Sequence, residues 1–194
     1  MSASVRLPSV SSDYTHHIWS PGEPAYEKRF KSVLSYHPNV NAAAVEDVTG
    51  SYHIGLNGEP LYAQRFSRTY GYYENLAAVC LDAKSSFHIS VDGSRVYNEK
   101  YAWCGNFTRL PNAKAQAPVR RVDGSYVLID ECGKVRSGPY KYVGDSNSQG
   151  QVVAWKLDGA CQIVNTCDGS IWGSGGKSGT PKVSLSQSSF SDDL

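Results

Sequence analysis

The sequence predicts an all-β fold of five tandem repeats, and three observations predict it. A stretch over residues 50–66, GSYHIGLNGEPLYAQRF, returns as near-copies at 16–30 and 87–101. Turn glycines fall in phase at Gly22, Gly58, Gly93, Gly133 and Gly169, with spacings of 36, 35, 40 and 36 residues. A period in that range marks solenoids, propellers and arrays. The composition agrees: 13 tyrosines and 18 glycines stand beside a single methionine among 194 residues, a mixture suited to strands and tight turns.

Taken in order, residues 1–12 read as a flexible N-terminus and 13–173 as a single β-repeat domain. Its units lie near 13–47, 48–82, 83–122, 123–158 and 159–173. A leading strand is expected at 42–47, 76–82, 117–123 and 152–158, ending in Asp47, Asp82, Asp123 or Asp158, a residue type that opens turns. The first unit has no obvious leading strand. The next strand alternates, with Tyr52 and Ile54 on one face and His53 on the other. Its isoleucine recurs as Ile18, Ile54, Ile89, Ile129 and, after a longer hairpin, Ile163. Asn57-Gly58, Asp92-Gly93, Cys132-Gly133 and Asp168-Gly169 supply the positive φ of a hairpin turn, and Pro21-Gly22 takes that place in the first copy. A return strand carries Leu61, Tyr62 and Phe66, or Val96, Tyr97 and Tyr101. Each unit is thus a three-stranded antiparallel meander followed by a linker.

Residues 174–194 form a Gly/Ser-rich C-terminal tail, in which residues 181–185 alternate well enough for an edge strand. Two closures compete. An open repeat array lets each unit touch only its neighbours, whereas a small closed five-bladed β-propeller removes free edges. Three strands per unit, where a propeller blade has four, favour the open array.

The repeated pattern G-x-[YF]-H-I-x-x-[ND]-G-x-x-[LV]-Y-x-x-[RK]-[FY], followed by an aromatic-rich linker, resembles the unit of WG-type repeat proteins in their His-Ile variant. The resemblance covers roughly residues 11–173, most specifically 50–101, and weakens in the fourth and fifth units. It implies a modular scaffold and no particular chemistry.

Nineteen basic and eighteen acidic residues leave a formal charge of +1, so neither nucleic acid nor an anionic membrane is the expected partner. No run reaches the roughly 18 apolar residues of a membrane helix, and the first residues lack the layout of a signal peptide. Cys80, Cys104, Cys132, Cys161 and Cys167 are odd in number and contain no CxxC pair. They read as free thiols of a cytoplasmic protein.

His17, His53 and His88 keep the repeat phase. A metal column is one reading, but Leu128 stands at the same place in the fourth unit, which points to packing. Arg29, Arg65 and Lys100 are also in phase beside Phe30, Phe66 and Tyr101. They suit a phosphate grip or, more simply, stacking within the fold. The strand-end aspartates are explained by turn chemistry. Gly176-Lys177-Ser178 lacks the first glycine of a phosphate loop, because Ile171 stands there.

No catalytic residue, cofactor or metal site is therefore expected. The leading function is a non-catalytic scaffold that binds a protein or peptide, with Trp19, Arg29, Arg65, Lys100, Trp103, Trp155 and Trp172 as its candidate surface. A carbohydrate- or small-ligand-binding protein, using the tryptophans as platforms, is the alternative. An enzyme is the third reading.

Overall fold

The computed structural model describes residues 6–109, 114–144, 151–165 and 171–175, the last segment and Asn165 by their backbone alone. The protein is all-β, with five small antiparallel sheets in tandem. The first holds β1 (Ser9–Val10), β2 (His17–Ser20) and β3 (Glu23–Pro24). The second holds β4 (Ser32–Val33), β5 (Ala43–Asp47) and β6 (Gly50–Ile54). The third holds β7 (Arg68–Tyr73), β8 (Leu76–Asp82) and β9 (Ser85–Ile89). The fourth and fifth have four strands each: β10 (Trp103–Cys104), β11 (Gln116–Arg120), β12 (Tyr126–Asp130) and β13 (Val135–Tyr140), then β14 (Tyr142–Val143), β15 (Gln151–Trp155), β16 (Cys161–Asn165) and β17 (Ile171–Gly175). No helix among the described residues is long and apolar enough to cross a membrane.

The turn residues do what their chemistry dictates. Asp47, Asp82, Asp123 and Asp158 each accept, through Oδ1, the backbone N–H two residues on, at 2.7, 2.8, 2.8 and 2.9 Å. This Asx turn opens the first hairpin of four units. Asn57, Asp92 and Asp130 repeat the device at the second hairpin.

Four expectations are corrected. The first unit does have a leading strand: β1 pairs with β2 through Ser9↔Ile18 and Val10↔His17, and Pro8 and Ser11 are buried beside it. Its two residues are too short for alternation to reveal them. The later units also carry more than three paired segments. A short strand enters before the leading one, and in the second and third sheets the return segment pairs through Ser51↔Phe66, Ile54↔Pro60, Ser86↔Tyr101 and Ile89↔Arg95. Third, Ile163 is 36% exposed, while Val164 is fully buried opposite Val152. Val164 takes the place held by Ile54 and Ile89, both fully buried opposite Ala43 and Ala77. The Gly/Ser-rich run also begins later than expected, since Ser174 and Gly175 belong to β17. Gly169, Cys167 and residues 176–194 lie outside the described residues.

Contacts between sheets join neighbours in chain order: β5 and β6 meet β7, β8 and β9 meet β10, and β12 meets β14. One apolar core runs through the first four units, including Val33, Val45, Ile54, Val79, Ile89, Val119 and Ile129. A smaller one, built from Leu128, Tyr140, Val143, Val152, Ala154 and Val164, joins the fourth unit to the fifth.

Candidate functional site

The repeated histidines are structural. His17, His53 and His88 are fully buried, and each sits near a backbone carbonyl 17 residues on: Leu34 at 2.9 Å, Tyr70 at 2.7 Å and Gly105 at 2.8 Å. A carbonyl only accepts, so Nε2 carries the proton and Nδ1 is left as an acceptor. That acceptor is met by a tyrosine hydroxyl nine residues on, from Tyr26, Tyr62 or Tyr97. A second aromatic, Tyr36, Tyr72 or Phe107, packs on the imidazole with centroids 4.4, 4.4 and 4.6 Å away. Burial pushes His53 and His88 down to about 4, opposed only by the carbonyl bond. With both nitrogens engaged, the imidazoles have no lone pair to offer a metal. Among the described residues no three His, Cys, Asp or Glu side chains converge.

The same tyrosines connect one unit to the next. A Cβ built on Gly58, Gly93 or Gly133 would lie 2.6 Å from Cγ of Tyr26, Tyr62 or Tyr97. The φ values there are +76°, +83° and +78°. Glycine is therefore required twice over, for its backbone conformation and for the ring laid upon it. A Cβ built on Gly22, by contrast, meets nothing within 4 Å.

Two of the three phased cations fold back on their own hairpins. Arg65 lies 3.6 Å over the Tyr52 ring and donates to the carbonyls of Tyr62, Ala63 and Gln64 and to Thr49 Oγ1. Arg29 donates to the carbonyls of Glu27 and Lys28 at 2.9 and 3.2 Å. In the third unit the stacked cation is Arg95, 4.3 Å from the Phe87 centroid and bonded to the carbonyls of Asn98 and Glu99. Lys100 is exposed. Nothing here forms a row of free cations.

One surface departs from the repeat. Cross-strand registers place Ser32, Glu46 and Ser51 side by side in the second sheet, and Arg68, Cys80 and Ser86 in the third. The equivalent row is Trp103, Arg120 and Tyr126 in the fourth sheet, and Tyr142, Trp155 and Cys161 in the fifth. Small or polar positions have become aromatic in two adjacent units. The rings meet across the sheet boundary: Trp103–Tyr126 at 6.2 Å, Tyr126–Tyr142 at 5.7 Å and Tyr142–Trp155 at 5.6 Å. Trp103–Tyr126 and Tyr126–Tyr142 cross at 61° and 64°, the edge-to-face geometry that ring quadrupoles favour, and Tyr142–Trp155 is tilted at 58°. Trp103 is 36% and Tyr142 49% exposed, while Tyr126 and Trp155 are half-buried. Arg120 is exposed within this row, and among the described residues it forms no ion pair.

The structure thus brings Trp103 and Trp155 together, through two tyrosines that sequence reasoning passed over. A signal was present: Trp103 and Tyr142 each lie two residues after an in-phase aromatic, Tyr101 and Tyr140. Trp19 stands apart, half-buried in the first sheet with the Arg6 guanidinium 5.8 Å from its ring centroid. The backbone of Trp172 lies in β17 opposite Ile163, and its side chain is outside the described residues.

No family model matches the chain, and no curated protein matches it. Solved structures do. The chain is similar to the computationally designed Ika8 protein (10% identity, TM-score 0.45, covering 78% of this chain and 51% of that one). It is also similar to the WD40 β-propeller domain of Doa1 (17%, 0.45, 86% and 64%) and to BamB from Moraxella catarrhalis (11%, 0.41, 79% and 65%). It spans about half to two thirds of the length of these structures.

Proposed function

We propose that this chain is a non-catalytic β-repeat module that binds another protein or a peptide through the aromatic row of its fourth and fifth sheets. The observation that carries the reading is the joint departure of Trp103, Tyr126, Tyr142 and Trp155 from the small or polar residues that the second and third sheets carry at the equivalent positions. Such residues, with arginine, dominate interface hot spots. Rings crossed at 58–64° present notches and edges, which suit the side chains of a peptide better than the flat face of a sugar.

The chemistry available elsewhere supports a binding role over catalysis. The strongly perturbed imidazoles are sealed and doubly bonded, and the buried Cys104 thiol is pushed up to about 12 by burial. Cys80, Cys104, Cys132 and Cys161 are free thiols, which fits a reducing compartment such as the cytoplasm. The repeated His-Ile unit supports reading the chain as a relative of WG-type repeat proteins.

The test is affinity capture from lysate of the source organism with the intact chain and with a Trp103→Ala/Tyr142→Ala variant. Partners held by the former and lost by the latter are expected. A captured set that is unchanged in the variant removes this surface as the binding site.

A further inference from the structure

Resting on that reading, we infer that the aromatic row takes an acidic segment of its partner, one that sets carboxylates beside an apolar side chain. Two observations lead there. One cation keeps its place in the repeat after its carboxylate has been replaced, and a second stands where another unit carries an acid.

The second sheet shows the arrangement that the row has lost. Lys31 enters that sheet by donating its N–H to the Glu46 carbonyl at 2.8 Å, and its ammonium reaches the Glu46 carboxylate at 2.6 Å. Lys141 enters the fifth sheet by the same backbone bond, to the Trp155 carbonyl at 2.7 Å. The next residue, Tyr142, pairs with Trp155 as Ser32 pairs with Glu46. An indole thus occupies the place of the carboxylate, and exposed Lys141 forms no ion pair among the described residues. In the fourth sheet Arg120 stands at the place of Glu46, between Trp103 and Tyr126. It too is exposed and forms no ion pair among the described residues.

The carboxylates of these two sheets are already engaged. Asp130 pairs with Arg136 at 2.9 Å, and Glu131 pairs with Arg109. Asp123 and Asp158 hold their turns, accepting from the N–H of Ser125 and Ala160 at 2.8 and 2.9 Å. No other Asp or Glu lies among the described residues of either sheet.

Arg120 adjoins Tyr126 and Lys141 adjoins Tyr142, so each ring of this pair, with centroids 5.7 Å apart, has an unpaired cation beside it. Carboxylates on a ligand gain charge-assisted bonds there without displacing an internal partner. An apolar side chain between them covers the exposed rings. Lys156 extends the positive ground, lining an open cleft of about 450 Å³ with Pro139, Tyr140 and Leu157. Complementary charge of this kind selects partners and speeds their encounter. A nucleic-acid strand would bring anions too, but it stacks its bases on open ring faces, and these rings are turned against one another.

The experiment measures fluorescence anisotropy of three labelled peptides, EELFEE, KKLFKK and EEGGEE, against the full chain. EELFEE is expected to bind at least about tenfold tighter than either control. Arg120→Glu and Lys141→Glu should each weaken it about tenfold, whereas Lys84→Glu, the same charge change on an exposed turn of the third sheet, should leave it unchanged. All three positions are exposed, and melting temperatures establish that the variants fold. Equal binding of either control peptide, unchanged binding in Arg120→Glu and Lys141→Glu, or an equal loss in Lys84→Glu would each overturn the inference. Displacement of EELFEE by an oligo-dT strand or by phosphatidylserine vesicles would assign the cations to phosphate and overturn it as well. Absence of binding by all three peptides would also overturn it, while the binding-module reading then stands or falls on the capture experiment alone.

Discussion

Lowering the pH from about 7 to about 4 should unfold this protein through its repeated histidines, over a window set by burial. In the fold, the His53 and His88 rings are neutral, with Nδ1 committed as acceptor to Tyr62 and Tyr97 at 2.5 Å. Protonation would set a new donor against each hydroxyl and place a charge in the core. The pKa of both falls from 6.5 to about 4, chiefly through desolvation. The unfolded chain therefore binds these protons first as the pH drops through about 6.5, and the folded chain binds them only near 4. Between those values the unfolded state holds more protons, so stability falls with falling pH, and below the lower value the loss levels off. A displacement from 6.5 to about 4, at about 1.4 kcal/mol per pH unit, amounts to about 3.5 kcal/mol for each histidine and about 7 for the pair. That approaches the whole stability of a typical domain, about 5–15 kcal/mol. His17 is shifted in the same direction and adds to the loss. The depressed carboxylates of Asp13, Asp47, Asp92 and Asp123 start from 3.8 and lose their contribution only below it, so they stay out of this window. Urea midpoints followed by circular dichroism at successive pH values read the slope directly. A His88→Leu/Tyr97→Phe variant copies the leucine that the fourth unit carries as Leu128 and should reduce the slope by one histidine's share. A stability that stays level across the window, or a slope untouched in the double variant, would refute the reasoning.

Three further outcomes follow from the same structure. Gly93→Ala and Gly22→Ala both force alanine to positive φ, but only the former meets a ring, so it should cost about 1–3 kcal/mol more in urea unfolding; equal costs would mean that the Tyr62–Gly93 contact does not join the units. Arg65→Ala loses a stacked ring and several carbonyl bonds and should destabilise by about 1 kcal/mol, whereas Lys100→Ala should stay within about 0.5 kcal/mol; equal effects would contradict the assignment of the third unit's stacking to Arg95. Exposed Cys132 should react with a thiol reagent in the native protein, while Cys104, buried and with its thiol pushed up to about 12, should react only on denaturation; rapid native labelling of Cys104 would show that the core opens there.

Much of the repeat was legible because a residue needed by every unit returns at a constant interval. His53, Gly58 and Tyr62 are one mechanical device, and their copies at His88, Gly93 and Tyr97 announce it without any structure. The aspartates that open each first hairpin were readable for a related reason: an Asx turn is made within three residues, so its cause lies inside the local sequence. Ile163 misled because a hydrophobic residue in a strand has two possible faces, and only pairing with Val153 and the burial of neighbouring Val164 decide which one points inward. β1 escaped notice since two residues cannot show a period.

The division at the surface has the same origin. The sequence by itself determined the all-β class, the repeat length, the turn chemistry and the phase of the histidines, because those depend on local spacing and on identity between copies. It could not determine that Trp103, Tyr126, Tyr142 and Trp155 share a row, since they sit on four strands of two sheets and meet only through cross-strand register and the packing of one sheet on the next. Tertiary structure likewise decided that Arg65 folds back on its own hairpin while Arg120 is left facing solvent. Whether a cation is consumed by the fold or left for a partner depends on which rings, carbonyls and carboxylates surround it in space.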